Sequence, residues 1–151
     1  PGFRTAAFIA ANPVLKNAVH DIVVNNKAIG ENICGTIAFY TAYEQCAYYA
    51  DQMAAYVEKN RDLVEETLKD VKGINVIHAE GTYLLWLDCR GLGMKQAELD
   101  KFFVETVKVG FNSGKGFGPE GEGFLRMNVA CPRCTVEEAL KRIITSVSAL
   151  Q

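Results

Sequence analysis

The chain has 151 residues, 49% of them apolar and 23% charged, with a formal net charge of -2 and a pI of about 5.7. That apolar content excludes disorder, and the length suits one domain. The near-neutral charge excludes the basic footprint of a nucleic-acid or anionic-membrane binder, and no apolar run approaches the roughly 18 residues that span a bilayer.

The chain starts at Pro1 and runs at once into the apolar, strand-like stretch Phe3–Ala10 without a charged leader, so it reads as cut from something larger. After Asn12-Pro13, residues 14–26 read as a short helix, and Gly30 and Gly35 punctuate the next segment. From Ile37 to Val71 there is neither Gly nor Pro, and apolar positions at Ala50, Met53, Val57, Val64, Leu68 and Val71 recur at helical spacing. This predicts one long amphipathic helix over 37–71, stopped by Gly73. Its first half (Phe39, Tyr40, Tyr43, Tyr48) is apolar nearly all round and is expected to be buried against something.

Residues 74–77 predict a short strand, and Thr82–Asp88 a second one without strict alternation, as expected of a strand covered on both faces. An amphipathic helix comes next over 95–108, with Leu99, Phe102, Phe103, Thr106 and Val107 on one side. Residues 109–112 are a candidate strand, 114–123 a glycine-rich loop, and 124–130 a strand. Thr135 and Glu138 form the pattern of a capping box for a last helix carrying Leu140, Ile143, Ile144 and Val147. Adjacent strands among helices argue for an α+β layer with a mixed or antiparallel sheet covered by helices.

Five cysteines without a secretory signal argue for reduced thiols and a cytoplasmic protein. Cys131-Pro132-Arg133-Cys134 is a CxxC, but no second ligand pair at zinc-site spacing accompanies it, and His20 and His78 are isolated. It reads as incidental thiols rather than a metal or redox site. Gly116-Phe117-Gly118-Pro119-Glu120-Gly121 matches G-x-G-x-x-G literally, yet a strand comes after it and Pro119 removes a backbone donor. Gly110 to Gly116 is one residue short of a P-loop and has no Ser or Thr after Lys115. The glycine-rich segment is therefore either a flexible turn or a loop bordering a ligand. On the strand beside it, Leu125, Met127 and Val129 form a core face, while Phe124, Arg126 and Asn128 share the other. By spacing alone, Arg126 is either a planar fork for a carboxylate or a snorkelling surface arginine.

Two long segments carry a family resemblance. Glu80-Gly81-Thr82-Tyr83-Leu84-Leu85-Trp86-Leu87-Asp88-Cys89-Arg90 and Phe117–Arg133, in that order, resemble the C-terminal portion of class I/II aminotransferases, and within them the cystathionine β-lyase-like branch. The resemblance extends over essentially the whole chain. It implies the small C-terminal domain of a homodimeric fold-type I enzyme that uses pyridoxal 5'-phosphate on amino-acid substrates. Residues 1–36 would then be a remnant of the large cofactor-binding domain, 37–71 a linking helix, and 72–151 the small domain that closes over the substrate.

The same resemblance assigns Arg126 to the substrate α-carboxylate, places Tyr83 beside the substrate, and gives Arg4 to the cofactor phosphate. The Schiff-base lysine would fall just before Pro1, eight residues ahead of Arg4. Lys115 does not match that position, and the aspartate that pairs with the pyridinium nitrogen has no counterpart. No catalytic residue is therefore assigned within the chain, which alone is expected to be inactive and not to hold the cofactor stably. The competing expectation is a stand-alone α+β module that binds a small carboxylate without catalysis.

Overall fold

Helix α1 (Pro13–Asn25) starts where Asn12 accepts the Val14 N–H (2.9 Å) and Pro13 supplies a pre-set φ at the first helical position. This computed structural model describes residues 2–26 and 32–150; Pro1 and Gly30 lie outside the described residues. Residues 4–10 form no regular element, so the strand expected from their apolar content is absent. The division between two compact units falls between Gln52 and Met53, whereas the sequence places breaks after 36 and after 71.

In the first unit, helix α2 (Ile33–Gln45) is capped by Asn32, whose side chain accepts the Gly35 N–H (3.2 Å). The single helix expected over 37–71 is interrupted. Cys46 leaves helical geometry (φ -117, ψ 21), and α3 (Ala47–Leu68) begins after it. Neither Gly nor Pro marks this break, so composition carries no signal for it. Tyr40, Tyr43 and Tyr48 stay exposed on this chain.

The second unit is a four-stranded antiparallel sheet in the order β1-β2-β4-β3. Its strands are β1 (Asn75–Ile77), β2 (Leu84–Asp88), β3 (Asn112–Ser113) and β4 (Phe124–Asn128). Two further helices are α4 (Gln96–Lys101), continued by a π-helical stretch Phe102–Val107, and α5 (Arg133–Ser148). Along β2 and β4 burial alternates: Leu85, Leu87, Leu125 and Met127 are buried, and their neighbours are only partly so. The buried face joins Val64 and Leu68 of α3, Leu99, Phe103 and Val107 of the α4 stretch, and Val136, Leu140, Ile143 and Val147 of α5 in one core. Thus β2 alternates after all, with one closed face and one half-open one. Within the α4 stretch Thr106 is exposed.

The cap of α5 also differs from expectation. Pro132 (φ -54) starts the helix three residues early, its carbonyl accepts the Thr135 N–H (2.9 Å), and Glu138 reaches forward to Arg142 (2.8 Å) rather than back to a cap. Thr135 is consequently an interior residue of the first turn. Asn60, fully buried on α3, ties the end of β4 down by donating to the carbonyls of Val129 (2.9 Å) and Cys131 (3.1 Å).

Cys89 lies in the core, where burial, and secondarily the Asp88 charge, pushes its thiol pKa up to about 12. With iodoacetamide at pH 8, Cys34 and Cys134, both exposed, are expected to label first and Cys89 only after unfolding. Peptide mapping checks this, and labelling of Cys89 in the folded protein would contradict the packing.

Candidate functional site

The half-open sheet face is built by alternation. Trp86 of β2 stands opposite Arg126 of β4, and Asn112 of β3 stands on the other side of Arg126. These residues therefore share one face across three strands. Arg126 donates from Nη2 to Asn112 Oδ1 (3.1 Å), and its guanidinium lies over the Phe117 ring, 4.6 Å from the centroid. Its Nε is buried and has no acceptor among the described residues. A buried N–H left in that state costs about 1–3 kcal/mol, so the guanidinium's donors are only partly satisfied among the described residues. A carboxylate is the matching group for a planar guanidinium.

Phe117 reaches Arg126 because the glycine-rich segment is folded, not slack. It forms two short 3-10 turns, Gly114–Phe117 and Pro119–Gly121, whose backbones touch at their ends. A Cβ at Gly121 would lie 2.0 Å from the Gly114 carbonyl oxygen, and one at Gly114 would lie 2.3 Å from the Gly121 oxygen. Glycine is required here by close backbone approach. Buried Gln96 fixes the far end: its Oε1 accepts the Gly123 N–H (2.8 Å), and its own backbone N–H donates to Glu122 (3.1 Å). That donation, with Lys115 at 3.4 Å as a further contributor, holds the Glu122 carboxyl below its ordinary pKa.

Tyr83, exposed, stands just before β2, where its carbonyl accepts the Val129 N–H (2.9 Å). Its neighbour Thr82 has φ +65, a strained value for a β-branched residue. Tyr83 lines a cavity of about 400 Å³ together with Met53, Val57, Arg61, Glu80 and Thr82. Arg61 anchors that wall by donating to the Ala79 carbonyl (3.2 Å) and to Asp62 (2.6 Å). The partners of Arg126 named above, Asn112 and Phe117, are not among those lining residues. Arg126 itself does not line that cavity.

Arg4 belongs to the first unit. It is exposed and holds φ +48. The carbonyl of Phe3 beside it accepts from Thr5 Oγ1 (3.0 Å) and from Asn32 Nδ2 (3.1 Å), and a Cβ at Gly35 would meet Thr5 Oγ1 at 2.0 Å. The segment carrying Arg4 therefore rests on the first turn of α2. Arg4 is exposed on this segment, and a guanidinium is chemically suited to a phosphate. Cys131 and Cys134 are free thiols, and among the described residues no cluster of three or more His, Cys, Asp or Glu could hold a metal ion. Among the described residues no helix is long and apolar enough to cross a membrane.

The family model described as aminotransferase class I and II matches residues 1–143. The chain belongs to the class I and II aminotransferase family. Within this aminotransferase family, it is 28% identical over 148 residues to cystathionine β-lyase PatB of Bacillus subtilis, which covers 97% of the chain and 38% of that protein. To cystathionine β-lyase of Corynebacterium glutamicum it is 37% identical over 117 residues, 76% of the chain and 30% of the relative. Among solved structures, cystalysin from Treponema denticola, which contains a pyridoxal 5'-phosphate cofactor, superposes with a TM-score of 0.82 at 26% identity. That match covers 95% of the chain and 36% of cystalysin. The chain thus spans 30–38% of the length of these relatives.

Sequence reasoning points to Arg126 but not to Asn112, Phe117 or Arg61. Only the register predicts the first of these three, since β3 is two residues long. Asp88, on the same face as Arg126, accepts from Arg90 Nε (2.9 Å) and Nη2 (2.7 Å). The Arg90 side-chain hydrogen bond, ahead of its backbone N–H and charge, holds the Asp88 carboxyl below its ordinary pKa of 3.8. A depressed folded pKa means the stabilisation is present above the unfolded value and is lost as pH falls through the folded one. Asp88→Asn is therefore expected to destabilise the protein at pH 7 and to approach wild type below about pH 4. Unfolding midpoints of both proteins from pH 7 to pH 3 test this; a gap that persists unchanged at pH 3 would refute it.

Proposed function

We propose that this chain is part of a pyridoxal-phosphate-dependent aminotransferase or carbon–sulfur β-lyase acting on amino acids, and that Arg126 binds the substrate α-carboxylate. The observation that carries this reading is the Arg126 guanidinium, held over an aromatic ring on a half-open sheet face with a buried donor lacking an acceptor. Family membership and the likeness to C–S lyases support it.

In this reading residues 1–36 belong with the cofactor-binding domain, 37–71 link, and 72–151 form the small domain of a homodimeric enzyme. On the same reading Arg4, exposed on a turn seated on the start of α2, holds the cofactor phosphate. The bound cofactor supplies an electron sink for bonds at the substrate Cα. The residues of this chain do the rest of what is assigned to it. Arg126 fixes one end of the amino acid, which restricts rotation about Cα and so sets which bond is presented for reaction. Tyr83, on the cavity wall, borders the substrate. No lysine of this chain is assigned the Schiff base, so the chain alone turns over no substrate.

Two assays on the whole protein that carries this chain test the proposal. With cystathionine alone, a β-lyase releases pyruvate, ammonia and homocysteine. With an amino acid plus an α-keto acid acceptor, an aminotransferase moves the amino group and releases no ammonia. Either outcome supports the reading, and the chain by itself should give neither. Absence of both activities from the cofactor-loaded whole protein would contradict it.

A further inference from the structure

The half-open face carries an unbroken run of ring and guanidinium contacts. Arg90 lies 4.7 Å over the Phe124 ring. Phe124 stacks on Trp86 (5.6 Å, 15°), and Trp86 meets Phe117 edge-on (5.6 Å, 83°). Phe117 in turn lies beneath Arg126, 4.6 Å away. Every link is geometrically suited to attraction: edge-to-face and offset rings, and cations over ring faces. The run is anchored at both ends, by the Asp88–Arg90 pair and by the Arg126–Asn112 hydrogen bond.

Phe117 is more than half exposed (55%), so burial of its ring does not explain its place. The loop that presents it is held by the Gly114–Gly121 crossing and by Gln96. A long arginine side chain on an open face otherwise samples many rotamers, and fixing it on ligand binding costs affinity. A ring beneath the guanidinium plane and an amide at one of its edges leave that plane one orientation.

We infer that Phe117 and Asn112 are positioning residues for Arg126: they pre-set the guanidinium plane that receives the substrate carboxylate, with Trp86 bracing Phe117. This rests on the carboxylate-binding role proposed above. Neither residue is assigned contact with the reacting atoms.

The test uses the whole cofactor-loaded protein and one amine-free monocarboxylate, 3-(methylthio)propionate, whose Kd is measured by calorimetry beside KM and kcat for cystathionine. Phe117→Leu keeps apolar bulk and removes the ring face; it is expected to raise Kd and KM about threefold. Adding Asn112→Ala should bring the rise to about tenfold. The loss falls on Kd and KM rather than kcat, and Phe117→Tyr, which restores a ring, recovers wild-type binding. If Arg126→Ala weakens the monocarboxylate but Phe117→Leu and Asn112→Ala do not, the positioning role is overturned and the carboxylate reading stands. If Arg126→Ala itself leaves Kd unchanged, the carboxylate reading falls and this inference with it. If Tyr fails to restore what Leu loses, the ring face is not what positions Arg126, and the inference is overturned.

Discussion

Arg126→Ala in the whole enzyme is expected to lower kcat/KM for amino acids by about a hundredfold. The residue sits between Trp86 and Asn112 on the sheet and over Phe117, so its truncation removes a pre-formed charged donor rather than a mobile surface side chain. The substrate carboxylate would then be left without its charged partner. A bidentate guanidinium–carboxylate pair is planar and directional, which makes Arg126→Lys a poor substitute, since an ammonium keeps the charge and loses the fork. If Arg126 binds the carboxylate, it both holds and orients the amino acid, and losses in both KM and kcat are expected. Steady-state kinetics on refolding-competent, cofactor-loaded variants measure this directly.

The second large effect is structural. Gly121→Ala is expected to destabilise the second unit by about 3 kcal/mol or more. The added Cβ would come within 2.0 Å of the Gly114 carbonyl oxygen and 2.5 Å of its carbonyl carbon. Both atoms are backbone, so no side chain can swing away, and separating the two 3-10 turns would pull on the Gln96 hydrogen bonds to Gly123 and Glu122. Gly116→Ala is the control: nothing lies within 4 Å of its added Cβ, and the cost should stay under about 1 kcal/mol. Thermal unfolding of the two variants separates them. Equal, small losses would show that the crossing is not a constraint.

These two sites differ in how legible they are. Arg126 stands out in sequence because period-two alternation puts Leu125 and Met127 in the core and leaves an arginine on the opposite face, which is where the structure has it. The helical stripe of α5 is legible for the same reason, since Leu140, Ile143 and Val147 recur at helical spacing and all are buried. The glycine-rich segment is not. Its glycines answer to a tertiary crossing between residues seven apart, which no turn signature records, and so sequence alone leaves a flexible turn open as a reading. The positions of Phe117 and Asn112 depend on that crossing and on a two-residue strand pairing, both non-local.

Helix limits differ from expectation for local reasons of another kind. Cys46 breaks α2 from α3 without Gly or Pro, Pro132 rather than Thr135 opens α5, and the α4 helix widens into a π-helical stretch after Lys101. In each, backbone geometry departs from the default within a pattern of side chains that still reads as helix.

The most direct test of the Arg126 assignment compares an amino-acid substrate with the amine that lacks only its carboxylate, in wild type and in Arg126→Ala. Apparent affinity of the whole enzyme for each is measured from the change in cofactor absorbance on titration. If Arg126 binds the α-carboxylate, wild type prefers the amino acid strongly, and Arg126→Ala loses that preference while its affinity for the amine is little altered. A preference that survives intact in Arg126→Ala would contradict the assignment.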